Sequence, residues 1–239
     1  MGDCLLCGAA DVKLAKSHII PKSLYAETLK SEEGPARIVS GDKGFHPRRS
    51  PMGVYDSEIL CIACEESLSP LDDYAHELFM QKCAQDAFHI EGKPMAGKHD
   101  GVDIEKLMMF FISLVWRMQV TKQPMFSGMK LGPYEKKVKK ALLDRDPGIV
   151  PELDVVISKF DDETSAAFMG PTPLRMEGVN GYRVGFAYHL CWVKVDKRAF
   201  PHPFHSIRLS KGNPLHILYR EFADSPERRA MVETVKSNN

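Results

Sequence analysis

Six cysteines are spread over the 239 residues, and four of them fall in two C-x-x-C pairs, Cys4-Leu-Leu-Cys7 and Cys61-Ile-Ala-Cys64. A C-x-x-C turn brings two sulfurs to one side of the backbone. Two such turns supply the four thiolates of the closed tetrahedral shell that structural zinc prefers. One pair alone could serve redox chemistry or simply pack in a core. Two pairs in one chain, each at the edge of a structured segment, point to zinc. The gap between them is longer than in a compact zinc ribbon, but a knuckle-type arrangement spans it. Four thiolates leave no open position on the metal, so chemistry must come from residues that the zinc positions.

Between the pairs lies Lys16-Ser17-His18-Ile19-Ile20-Pro21-Lys22, a short β-like run that carries a histidine and stops at proline. Further along, Asp72 and His76 are spaced by four, as neighbours on one side of a helix would be, with Asp73 in the same turn. They are a candidate ligand pair, and a solvated helix face is the plain structural alternative. His89, His99, His189 and His216 show no ligand spacing; His202-Pro-Phe-His205 would join a site if the C-terminal strands folded back on the cysteines. Trp116 and Trp192 lie in apolar runs and read as core, as do Cys83 and Cys191. Lys13, Lys16, Lys22, Arg37, Lys43, Arg48 and Arg49 could meet an anionic partner, and so could Lys136, Lys137, Lys139 and Lys140, although such runs also occur as solvated surface. No G-x-G-x-x-G, Walker or G-x-S-x-G element is present.

The elements that must hold these residues divide by pattern. Residues 1 to about 100 are irregular, with SEEGP, SGDKG and HPRRSPMG between the cysteine pairs, a long loop for a metal to staple. Ser69-Pro70 predicts a helix start, a capping serine with proline in the first turn. Leu71, Tyr74, Leu78, Phe79 and Cys83 continue that helix at spacings of three and four to about residue 84. From residue 103 a long apolar helix runs to about Val120, followed by a basic amphipathic one from Tyr134 to about Leu143. After Pro147, DVVISKF, GYRVGFAYHLCWVKV and PLHILYREF read as strands. The expected class is α+β: a small zinc-stapled module over residues 1–100, joined to a helix-plus-antiparallel-sheet body over 101–239.

Composition sets the outer bounds. There are 32 basic and 32 acidic side chains, so the formal charge is zero and a polybasic, histone-like coat is excluded; a nucleic-acid grip would have to be local. A hydrophobic content of 44% with 27% charged side chains is that of a globular protein and not of a disordered one. The apolar stretch Leu107 to Val120 is shorter than the roughly 20 residues a bilayer requires and contains Arg117. No membrane partner is expected. The opening residues carry no apolar run behind a basic flank, so the expectation is a cytoplasmic protein without a secretory leader.

C-x-x-C, then a strand with H-I-I-P, then L-C-x-x-C resembles the zinc-containing HNH endonucleases, whose ββα-metal site sits on a treble-clef scaffold. SHIIPKSLY followed by EILCIACEESLSPLDDY is similar, more closely, to uncharacterised prokaryotic HNH-like proteins with S-H-I-I-P and L-C-x-x-C-E. The resemblance covers residues 4 to about 80, with a loose similarity around LVWR. It implies a metal-dependent nuclease hydrolysing phosphodiester bonds of DNA, in prokaryotic defence or a mobile element. His18 then stands where the general base activates water, a task its ordinary pKa suits. Ser17 occupies the place of a metal-binding Asp or His and departs from the pattern. Asp56 replaces the middle asparagine and Glu65 the residue after the second pair. These two carboxylates could hold Mg²⁺ or Mn²⁺, which prefer oxygen donors. The alternative is an inactive zinc-stabilised module that binds nucleic acid or protein, with the C-terminal region choosing the target or docking a partner protein.

Overall fold

The computed structural model describes residues 1–24, 37–38, 48–49, 53–81, 86–160, 169–186 and 188–237. The first seventeen residues lie along the segment 54–62. Cys4-Leu-Leu-Cys7-Gly8 turns back on itself, with the Gly8 N–H donating to the Cys4 carbonyl at 2.9 Å. Gly8 has φ +78°, a left-handed conformation that side chains resist and glycine adopts freely. Strand β1 (Ser17–His18) pairs antiparallel with a strand further on. After β2 (Arg37–Ile38) and β3 (Arg48–Arg49), which pair with each other, β4 (Tyr55–Asp56) is that partner, in the register Ser17↔Asp56 and His18↔Tyr55.

Helix α1 (Ile62–His76) starts at the second cysteine pair, with Cys61 at its N-cap, and continues as one π-helical turn over Glu77–Gln81. The helix expected from Ser69 onward therefore begins seven residues earlier, and Pro70 lies inside it. Ser69 is exposed within the helix, and the cysteine turn fixes the start instead. Cys83 lies outside the described residues.

The hairpin of β5 (Asp86–Ile90) and β6 (Lys93–His99) follows, then α2 (Ile104–Val120) and α3 (Glu135–Asp144). Asp103 caps α2, its carboxylate accepting from the Lys106 N–H at 3.0 Å. The remaining strands are β7 (Leu153–Phe160), β8 (Met169–Met176), β9 (Val179–Phe186), β10 (His189–Val195) and β11 (Leu215–Arg220), and α4 (Pro226–Ser237) closes the described chain.

Among the described residues, seven strands form one sheet in the order β5-β6-β11-β7-β10-β9-β8. The mixed α+β class stands, with two corrections to the expected layout. The sheet is not purely antiparallel, because β11 runs parallel to β7. The hairpin 86–99, grouped by pattern with the first hundred residues, pairs with β11 and belongs to the sheet.

Alternation along the central strands explains why both faces are covered. On one face Val155, Ile157, Cys191 and Val193 pack under α2, in a core continuous with Cys4, Leu6, Ile19 and Leu60 of the N-terminal segments. On the other, Val156, Trp192 and Phe200 form a second cluster, with Trp192 edge-on to Phe200 and Phe204. Helix α2 is apolar nearly all round because it is buried nearly all round: Phe110, Phe111, Ile112, Leu114, Val115 and Met118 are fully enclosed. At 17 residues it is no membrane span, and no described helix is long and apolar enough to cross one.

Candidate metal centre and the hairpin beside it

The four sulfurs of Cys4, Cys7, Cys61 and Cys64 lie within 4.8 Å of one another, with Cys7 and Cys61 at 3.9 Å. A tetrahedral ion with zinc–sulfur bonds of about 2.3 Å would separate its ligands by about 3.8 Å, so the cluster has the size zinc requires. Its electrostatics ask for a cation as well. Burial alone would push the Cys4 thiol up, but backbone N–H groups of Cys61, Cys7 and Leu6 directed at its sulfur hold it down at about 7. Burial raises the Cys64 thiol far above the ordinary range, and the neighbouring Cys61, Cys7 and Cys4 add to the rise, since thiolates this close repel one another. A divalent ion would remove that repulsion. The expected donor set is thus brought together in full, and it can hold a metal such as zinc.

The residues that the resemblance singles out are distributed over two faces of the β1–β4 hairpin. Ser17 is fully buried and donates to Glu65 Oε2 at 2.6 Å, so strand and helix meet at this pair. Asp56, opposite Ser17 on the same inner face, is also buried. Its Oδ1 accepts from the Glu58 N–H at 2.9 Å, and its Oδ2 accepts from the Thr121 hydroxyl at 2.7 Å and the Lys122 N–H at 3.4 Å. It ties the hairpin to the end of α2. His18 and Tyr55 alternate to the outer face, their rings meeting edge-on at 6.1 Å, and the Lys16 ammonium lies 5.7 Å from the Tyr55 ring centre. Among the described residues, the four cysteines are the one group of three or more Cys, His, Asp or Glu donors close enough to share an ion.

A residue with no assigned role in the sequence reading lies at the centre. Arg117 is 1% exposed, donates from Nη1 to the His18 carbonyl at 2.9 Å, and grips Asp72 bidentately at 2.9 and 2.6 Å. Burial disfavours its charge, but Asp72 and, more weakly, Glu65 outweigh that cost and keep the guanidinium charged. A charged side chain inside the apolar run Leu107 to Val120, in the last turn of α2, was the signal in the sequence, because such a group must find a partner when buried. Asp72 is therefore engaged by Arg117 and not by His76. His76 is half-buried, with an Nδ1 that has no partner among the described residues, and Asp73 is exposed.

The other histidines sit elsewhere. His99 and His189 are buried in the sheet; burial and then the Lys159 charge lower both, His189 to about 3. His202 and His205 flank a short turn at the second core cluster. Trp116, Trp192 and Cys191 are core, as expected. Lys13, Lys16 and Lys22 are exposed, while the side chains of Arg37, Lys43, Arg48 and Arg49 lie outside the described residues. On α3, Lys137 pairs with Glu152, Lys140 with Asp144, and Lys139 donates to the Leu5 carbonyl, which leaves little of an expected basic patch. Comparison with protein-family models, curated proteins and solved structures finds no match.

Proposed function

We propose that the chain is a nucleic-acid-binding protein, with DNA as its target, built on a zinc-stapled HNH-like hairpin-and-helix scaffold whose catalytic-ion positions have become packing. The observation that carries this reading is the division of labour across the hairpin. Every inner-face carboxylate already has a partner: Glu65 has Ser17, Asp56 has Thr121 and two backbone N–H groups, and Asp72 has Arg117. A hard cation would have to displace those bonds beside a buried guanidinium that already supplies positive charge. The outer face, by contrast, offers an aromatic ring, an imidazole and a lysine side by side, with Lys13 and Lys22 exposed on the same segment. Rings that stack on bases and cations that meet phosphates are what single-stranded and distorted nucleic acid require.

The second reading is the nuclease itself. It is favoured by the 2.6 Å approach of Ser17 to Glu65, the two positions where the resembled family holds its ion. There Mg²⁺ or Mn²⁺ on Glu65 would offset charge on the phosphate, and His18 would take a proton from water.

The test uses the zinc-loaded full chain. Fluorescence anisotropy with labelled duplex and single-stranded DNA should give saturable binding that weakens steeply with salt. Tyr55→Ala and Lys16→Ala should each weaken it about tenfold, the loss of one stacking or phosphate contact. Absent binding, or binding indifferent to both substitutions, overturns the proposal. Cleavage in Mg²⁺ or Mn²⁺ that disappears in His18→Ala would replace it with the nuclease reading.

A further inference from the structure

Several charged side chains around the sheet are matched in pairs. Arg183 and Arg220 share Glu227, Arg208 meets Asp154, Arg198 meets Asp196, and Lys211 meets Glu105. Lys130 and Arg175 line a single groove together, and neither side chain has a partner among the described residues. The groove, about 440 Å³, lies between the turn that leads into α3 and the β8–β9 hairpin. Pro133, Tyr134 and Pro173 line it, and Asn180 lies at its rim; the neighbouring Leu174 packs on the other face of the sheet with Trp192.

Two features hold this lining in place. The Tyr182 hydroxyl accepts from the Lys130 N–H at 3.0 Å and donates to the Lys130 carbonyl at 2.7 Å, so the backbone that presents Lys130 is clamped to the sheet. The Asn180 N–H donates to Asp196 Oδ2 at 3.0 Å, which fixes the start of β9 at the groove. Both cations therefore line the groove from backbone that is held to the sheet, beside the Tyr134 ring and two prolines. That combination takes a ligand with a flat ring at one end and a concentrated negative charge at the other, and the volume is in the range of small-ligand sites. A guanidinium and an ammonium contributed by two elements suit phosphate oxygens.

We propose that this groove binds a mononucleotide-class ligand, its phosphate between Lys130 and Arg175 and its ring against Tyr134 and Pro133. The site shares no lining residue with the zinc cluster or the outer hairpin face, and its test contains no polynucleotide, so it stands or falls independently of the DNA-binding reading.

Calorimetric titration of the zinc-loaded full chain with AMP, adenosine and inorganic phosphate separates the contributions. AMP is expected to bind saturably, and adenosine and phosphate each about tenfold or more weakly, since each keeps half of the contacts. Lys130→Ala and Arg175→Ala, both at exposed positions that leave the core intact, should each weaken AMP about tenfold. Failure of AMP to saturate overturns the proposal, as does AMP binding that survives both substitutions. Phosphate binding as tightly as AMP would overturn the nucleotide class.

Discussion

Arg117 shows what one buried charge can hold together. Its guanidinium has no water to solvate it, so the bidentate bond to Asp72 on α1 and the bond to the His18 carbonyl on β1 fix three segments at one point. A pair of this kind is close to neutral for stability while it is whole, because desolvation offsets the attraction. Breaking one side is costly. Asp72→Ala should destabilise the fold by about 3–5 kcal/mol in urea unfolding, because it leaves an uncompensated buried cation. Arg117→Met combined with Asp72→Ala should recover much of that loss. A single Asp72→Ala change that shifts stability by less than about 1 kcal/mol would show that solvent reaches the pair. The sequence displayed Arg117 inside an apolar run and Asp72 at the start of a helix. Nothing in their order along the chain joined them, since they are 45 positions apart and meet only through packing.

The helix boundaries show how the same local signal succeeds in one place and misleads in another. Ser225-Pro226-Glu227 is a true start: the Ser225 hydroxyl accepts from the Arg228 N–H at 3.0 Å and Pro226 opens α4. Ser69-Pro70 has the same chemistry but sits mid-helix, where the chain is already helical from Ile62 because Cys61 and Cys64 anchor the first turn. The strands β7, β9, β10 and β11 were legible from runs of β-branched and aromatic residues. Strand β8 was not, since Pro171 and Pro173 argue against a strand and are tolerated because β8 is an edge. The β5–β6 hairpin had a readable turn in Glu91-Gly92, both at positive φ, which suits a two-residue loop. If the cysteine turns set where α1 begins, metal removal should act there first. Chelation, or Cys4→Ser with Cys61→Ser, is expected to expose residues 1–24 and the first turn of α1 to fast amide exchange while the central sheet strands stay protected. Metal content by mass spectrometry should be one zinc per chain. Exchange unchanged after chelation would deny the cluster a structural role.

At the scale of the whole molecule, the sequence pattern divides what packing unites. The composition break near residue 100 reads as a domain boundary, yet Cys4, Ile19 and Leu60 belong to the same core as Phe110, Val155 and Ile217. The pairing of β6 with β11 also carries the chain across that boundary. Pattern could not reveal this, because the strand order and the parallel β7–β11 neighbours depend on contacts far apart in sequence. The consequence concerns cooperativity. The inner face of the hairpin and the buried side of α1 pack on α2, with Phe79 reaching Phe186 and His189 of the sheet, and exposing that much apolar surface would cost each half its stability. Residues 1–81 expressed alone with zinc should therefore lack a dispersed amide spectrum, and residues 101–239, deprived of β6, should aggregate or remain partly folded. The zinc-loaded full chain should unfold in one transition when followed by Trp116 and Trp192 fluorescence and by far-UV circular dichroism together. A well-dispersed spectrum from 1–81, or two separated transitions in the full chain, would restore the boundary. The zinc cluster would then staple an autonomous module, with no contribution to its stability from α2.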